Sequence, residues 1–311
     1  MAEEKKYDIV IVGAGPGGLT AGLYAARAQR KVVCLEKLQP GGQIANTEEV
    51  EDYPGFEHIS GWELAQKMAD HAKKFGLKIE SEEVEEICVE GEDRLVRCAS
   101  GTTYRAKAVI LSTGGSPVYL GVPGEKEYTG KGVSYCAICD GAFFRDQVIA
   151  VAGGGDAAVE EAIFLTKFGS KVCIIHRRDE LRAQKIIQQR AFDNDKIEII
   201  WDSVVESVNG DGNKVTDLSI KNVKKGDKFT LKVGAIFVFI GFRPNSDITR
   251  EALRRDQGGY ILTDEKMETS IPGIYACGDV RAQLVRQITN AVGDGTTAAV
   301  AAEKRLEELG D

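Results

Sequence analysis

Twice in this chain a short apolar run stops at a glycine-rich turn and passes directly into a helical pattern. In the first instance Tyr7 to Val12 leads to Gly13-Ala14-Gly15-Pro16-Gly17-Gly18, and helical spacing continues through Arg27. In the second, Val148 to Val151 leads to Gly153-Gly154-Gly155-Asp156-Ala157-Ala158 and a helix through Lys167, with Gly153 standing 140 residues beyond Gly13. Each is followed by another apolar run, Lys31 to Leu35 and Lys171 to Ile175. A strand, a Gly-x-Gly-x-x-Gly/Ala turn, a helix and a second strand form a parallel unit that binds a dinucleotide. Gly13 permits the turn, Gly15 lets the backbone approach a pyrophosphate, and Gly18 allows the helix to pack closely. Gly153 and Gly155 stand at the matching places. The helix N-terminus then offers N–H groups and positive dipole to phosphate. Asp156 is a natural N-cap for the second helix.

The two units differ at the corner after their second strand. Glu36 closes the first, roughly 20 residues past the turn, where an acid binds ribose hydroxyls. The second has no acid there. His176-Arg177-Arg178 takes its place, with Arg182 beyond. Guanidinium groups at this corner clasp a 2′-phosphate and select NADP(H) over NAD(H), whereas the plain alternative is a basic surface turn. Each unit continues into β-rich sequence that reads as a meander, Lys78 to Cys98 and Val204 to Val233. Each then ends in a very apolar strand, Ala108 to Leu111 before Thr113-Gly114 and Ala235 to Ile240 before Gly241. The polar loop from Gly41-Gly42-Gln43 to Asp52-Tyr53-Pro54-Gly55 is too long for a simple connection and is expected to lie on a ligand. Gly61 to Phe75 has helical spacing. A turn, a short strand and Gly278-Asp279 precede a last helix from about Asn290 to Leu309.

Between the modules stands Cys136-Ala137-Ile138-Cys139-Asp140. Two thiols at this spacing form a reversible dithiol/disulfide pair in which one thiolate attacks and the other resolves. Asp140 is placed to pass protons. Half of a zinc site is the alternative, but a closed zinc site takes about four ligands, and no second Cys pair or spaced His set exists. The seven cysteines are odd in number and irregularly spaced, unlike a secreted disulfide framework. Cys34, Cys88, Cys98 and Cys173 are expected to be plain buried residues. A net charge of -8 argues against nucleic acid or an anionic membrane as partner. No apolar run reaches membrane-spanning length, and a charged start without an apolar signal core fits the cytoplasm.

Together these residues resemble the low-molecular-weight thioredoxin reductases, nearly end to end. The diagnostic pieces are Cys136-Ala137-Ile138-Cys139-Asp140, His176-Arg177-Arg178-Asp179 with Arg182-Ala183, and Ala276-Cys277-Gly278-Asp279 followed by Arg286-Gln287. The resemblance implies an α/β protein of two Rossmann-like, three-layer domains, with an NADPH domain (117–244, carrying the Cys pair) inserted into a discontinuous FAD domain (1–116 and 245–311). It implies FAD on Gly13, Gly15, Pro16, Gly17, Gly18, Glu36, Gly42, Gln43, Asp52, Val84, Thr113, Gly114, Gly278, Asp279, Arg286, Gln287 and Ile288. Asp279 would bond the ribityl chain, and Arg286 to Ile288 would flank the flavin ring. NADPH falls to Gly153, Gly155, Asp156, Ala157, His176, Arg177, Arg178 and Arg182. Electrons are expected to run from NADPH through FAD to the Cys136–Cys139 disulfide and then to thioredoxin, with Cys139 facing the flavin. The family implies a homodimer whose NADPH domain rotates about hinges near Ser116-Pro117 and Arg243-Pro244. Two positions depart from the family: Cys277, where many relatives have Ala, and Asp294-Gly295-Thr296, where a Gly-Cys-containing run is usual. The nearest rival is an NAD(P)H-dependent disulfide reductase serving a peroxidase or glutaredoxin-like partner. Ferredoxin–NADP reductase-like flavoproteins share the fold but lack the dithiol, and a non-catalytic nucleotide-binding protein would lack bound flavin.

Overall fold

The computed structural model describes residues 3–47, 50–249 and 252–310. The chain divides into two compact units, Met1–Ser116 with Arg243–Asp311, and Pro117–Phe242. Among the described residues the α-helices are α1 (Pro16–Arg27), α2 (Gly61–Lys74), α3 (Ala137–Asp140), α4 (Asp156–Leu165), α5 (Lys185–Phe192) and α6 (Ile288–Leu309).

In the first unit a parallel sheet runs in the order Ile274–Ala276, Ala108–Leu111, Ile9–Val12, Val32–Glu36, Lys78–Ser81. The central strands are apolar on both faces, as parallel strands covered on both sides must be. Successive side chains point to opposite faces. Ile9 and Ile11 accordingly pack with residues of α1, α2 and α6, while Val10 and Val12 pack with Ile87, Val96 and Tyr104 of the antiparallel strands. Each such fully buried aliphatic side chain contributes about 1.5–3 kcal/mol relative to exposure. Helices, parallel sheet and meander thus make three layers.

The second unit repeats the plan. Its sheet runs Val133–Ser134, Ala235–Phe239, Val148–Gly153, Lys171–Ile175, Ile197–Ile200, all parallel. Ile149 and Val151 face α4 and α5, and Ala150 and Ala152 face the three antiparallel strands from Ser203 to Lys232. The chain therefore has the expected mixed α/β fold with two Rossmann-like units, one inserted in the other.

Three elements depart from the sequence expectation. Lys78–Ser81 is not part of the meander. It forms the edge of the parallel sheet beside Val33 to Glu36, and the antiparallel strands are Val84–Glu90, Asp93–Cys98 and Thr103–Ala106. Helix α5 carries no glycine fingerprint to announce it. Helix α4 is capped by Gly155, and Asp156 is its first residue. The Asp156 carboxylate instead accepts the Gln184 N–H at 2.6 Å, tying α4 to the loop that precedes α5.

Candidate active site

The redox pair is a disulfide, Cys136–Cys139, with Cα atoms 5.4 Å apart. Cys136 is the N-cap of the single-turn α3, and its Sγ accepts the Cys139 N–H at 3.3 Å. Ala137 is buried in the helix-side core of the second unit and so fixes the turn. Cys136 and Asp140 are half-buried, while Cys139 is exposed. The backbone before the pair is braced as well, because Ser134 Oγ accepts the Cys136 N–H at 3.1 Å. Tyr135, next in line, donates its hydroxyl to buried Glu125 at 2.9 Å. No group of three or more His, Cys, Asp and Glu among the described residues is arranged to hold a metal.

The first glycine turn is built for close approach. Gly13 has φ +99°, and a Cβ there would strike Ser112 O; a Cβ on Gly18 would strike Gly13 O. Gly15, by contrast, has an ordinary φ of -72° and faces open space. No side chain caps α1, which begins at Pro16, so its N-terminal dipole is left for an anion. Gly42 lies against this turn, where an added Cβ would sit 3.2 Å from Gly15 Cα. Glu36 accepts the N–H of Ala14 at 2.8 Å and of Leu38 at 2.9 Å. Its two oxygens brace the turn and keep lone pairs for further donors. Gln43 donates to Gly115 O at 3.4 Å. Thr113 donates to Asn245 O at 2.6 Å, and Gly114 has φ +59°. Asp52 is exposed on its loop. Val84 packs against the meander-side core.

Gly17 joins this turn to the tail, since a Cβ there would lie 3.1 Å from Cys277 Sγ and 3.2 Å from Ala291 O. Cys277 is fully buried, and burial pushes its thiol up to about 12, which suits an inert packing residue. Gly278 (φ +70°) donates its N–H to Asp294 at 3.1 Å. Both oxygens of the same carboxylate accept from one Arg281 nitrogen, Nη1, at 3.0 and 3.1 Å. Buried Asp294 and half-buried Arg281 therefore hold the turn that presents Asp279, a pairing that no spacing along the chain announces. Gly295, the next residue, lets α6 approach α1, because a Cβ there would strike Gly17 O. Burial raises the Asp279 carboxyl above its ordinary range, offset in part by Arg286. The Arg286 guanidinium lies 3.9 Å from the Tyr260 ring centre. Gln287 occupies the N-cap position of α6 with no capping bond from its side chain, and Ile288 packs beside Ile44 and Leu64. A half-buried carboxyl, an uncapped helix end and an open cradle at Gly15 fit an extended, phosphate-bearing and hydroxyl-rich cofactor.

The second turn repeats the first with a different corner. Gly153 has φ +152°, and Gly155 faces open space at the start of α4. Ala157 is exposed on the first turn of α4. The loop carrying the arginines is stitched to this turn, since Arg182 N and Ala183 N both donate to Gly154 O. Arg177, Arg178 and Arg182 are exposed, and none is paired with a carboxylate among the described residues. His176 differs from its neighbours. It is 5 % exposed, its Nδ1 bonds Gly153 O at 3.0 Å, and an added Cβ on Gly154 would strike the ring. Burial lowers its pKa, so the ring is neutral and supports the turn from beneath. Three free guanidinium groups beside an open glycine turn fit a nucleotide with an additional phosphate.

Two glycine cradles of this kind with a dithiol define the disulfide-reducing pyridine-nucleotide flavoproteins. Residues 7–295 match the family described as pyridine nucleotide-disulphide oxidoreductase. A thioredoxin reductase of Bacillus subtilis is 46% identical over 309 residues, covering 99% of this chain and 98% of that protein. The structure of Lactococcus lactis thioredoxin reductase superposes with a TM-score of 0.95 at 48% identity, over 97% of this chain and 99% of that one. That of T. acidophilum thioredoxin reductase gives 0.92 at 36% identity, over 97% of this chain and 99% of that one. The chain belongs to the thioredoxin reductase family.

Proposed function

We propose that this chain is an NADPH-dependent thioredoxin reductase whose Cys136–Cys139 disulfide passes electrons to an oxidised thioredoxin-type protein. The observation that carries the reading is the disulfide itself, held across one turn of α3 in the unit that bears the arginine-lined nucleotide cradle. FAD, when bound, would supply a two-electron carrier between the nicotinamide and the disulfide. In this reading Met1–Ser116 with Arg243–Asp311 holds FAD on the Gly13–Gly18 turn, Glu36, Gly42 and Asp279, and Pro117–Phe242 holds NADPH on the Gly153–Gly155 turn and the three arginines.

The chain's own residues then act in sequence. Two electrons and protons open the disulfide to two thiols. One thiolate attacks a sulfur of the acceptor disulfide, forming a mixed disulfide and releasing the acceptor's other thiolate. The second thiolate resolves that bond, so the acceptor leaves as a dithiol and Cys136–Cys139 is restored. Asp140 serves as the proton store. Its side chain is half-buried and directly follows Cys139 in the same turn. Ala137 and the Ser134–Cys136 bond keep the thiols at attack distance and save the entropy of assembling them. The molecule acts as a homodimer in the cytoplasm.

The test is turnover of thioredoxin with NADPH, run in parallel with NADH and with glutaredoxin-like and low-molecular-weight disulfides. NADPH with thioredoxin should give the highest kcat/KM. A preference for another disulfide acceptor would replace thioredoxin in this scheme, and absence of NADPH-driven disulfide reduction would end it.

A further inference from the structure

The loop from Arg177 to Arg182 contains its own opposition. Asp179 directly follows Arg178, and an unpaired carboxylate there would compete with a phosphate for the guanidinium groups and repel its charge. The fold answers this from a distant element. Lys224, in the hairpin turn after the strand Val215–Asn222, places Nζ 2.7 Å from Asp179 Oδ2 and 3.0 Å from Asp202 Oδ1. Asp202 is itself built into the loop. Its N–H donates to Arg178 O at 3.1 Å, and its φ of +51° is an uncommon conformation for a non-glycine residue. Its carbonyl accepts the Val223 N–H at 2.6 Å, which draws the hairpin turn against the loop.

We propose that Lys224 is a specificity-determining residue for 2′-phosphorylated nucleotide: by engaging Asp179 and Asp202 it leaves Arg177, Arg178 and Arg182 unpaired for the phosphate. The proposal rests on reading this corner as the NADPH site. The Lys224 side chain is 57% exposed and that of Asp179 70%. An exposed pair of this kind adds little to stability, and its conservation of free arginines, not of fold, is its consequence. The Lys224 ammonium holds Asp179 below the ordinary carboxylate range, so the pairing persists at neutral pH.

The experiment is calorimetric titration of the flavin-loaded enzyme with adenosine 2′,5′-bisphosphate and with adenosine 5′-monophosphate. Lys224→Ala should weaken the bisphosphate about fivefold, the upper range for an exposed charge pair, and leave the monophosphate unchanged. Lys224→Arg should bind like the parent. Adding Asp179→Asn to Lys224→Ala should restore bisphosphate binding to within about twofold of the parent. Melting temperatures should stay together across the set, which keeps folding out of the comparison. Equal bisphosphate affinity in Lys224→Ala and the parent overturns the proposal. So does a double variant no better than Lys224→Ala, because Lys224 would then touch the phosphate itself. Arg177→Ala with Arg178→Ala is the control for the site: if it does not weaken the bisphosphate, the NADPH reading fails independently of Lys224.

Discussion

At the scale of single residues, the two opening glycines separate folding from binding. Gly13 sits at φ +99° with Ser112 O where a Cβ would go, so Gly13→Ala should destabilise the unit by an amount on the order of 1–3 kcal/mol, read by denaturant melting. Gly15 has an ordinary φ and nothing within 4 Å of a Cβ. Gly15→Val should therefore fold normally and purify without flavin, since its side chain would fill the space the pyrophosphate needs. A yellow Gly15→Val protein with full flavin content would remove FAD from this turn. The sulfurs allow a similar separation. Cys139→Ser leaves both nucleotide cradles intact but removes one of two thiols that must act in turn. Rapid mixing with NADPH should still bleach the bound flavin, while thioredoxin turnover falls close to zero. Near-normal turnover in this variant would show that Cys136–Cys139 is not the relay.

At the scale of elements, the glycine turns depend on what lies behind them. His176 stands at the end of the strand Lys171–Ile175 and supports Gly153 and Gly154. Burial depresses its pKa in the folded chain from about 6.5 in the unfolded one. The unfolded chain thus binds the proton first. Stability from the neutral, buried ring is complete above about pH 6.5 and is lost as pH falls through the depressed folded value. His176→Asn keeps an N–H for Gly153 O but does not titrate, so its melting temperature should decline less between pH 7 and pH 5 than the parent's. Parallel declines would mean His176 does not set this slope. The Arg281–Asp294 pair plays the corresponding part for the Gly278–Asp279 turn. Removing half-buried Arg281 would leave the buried Asp294 carboxylate without its guanidinium partner, so Arg281→Ala should loosen flavin binding and lower the melting temperature together.

At the scale of the whole molecule, the two units have unequal claims to independence. Pro117–Phe242 is one uninterrupted segment with cores on both sides of its sheet. The other unit is built from two segments, and its sheet is completed by Ile274–Ala276 pairing with Ala108–Leu111. Excised residues 117–242 should accordingly melt cooperatively, form the Cys136–Cys139 disulfide and carry no flavin. A non-cooperative melt would show that this unit needs the remainder of the chain to fold.

The sequence by itself determined the repeated strand–turn–helix units, the difference between an acidic and a basic corner, and the redox pair. These depend on backbone freedom at glycine, on alternation along strands and on spacing within one turn, all of which are local. Tertiary structure decided the rest. It placed Lys78–Ser81 in the parallel sheet, turned Asp156 from a cap into a clasp on Gln184, buried His176 under its turn while leaving its arginine neighbours free, and brought Arg281 to Asp294 and Lys224 to Asp179. Each of these is a contact between residues on different elements. Its free energy is set by which surfaces pack together and which charges lose water, and no spacing along the chain encodes that.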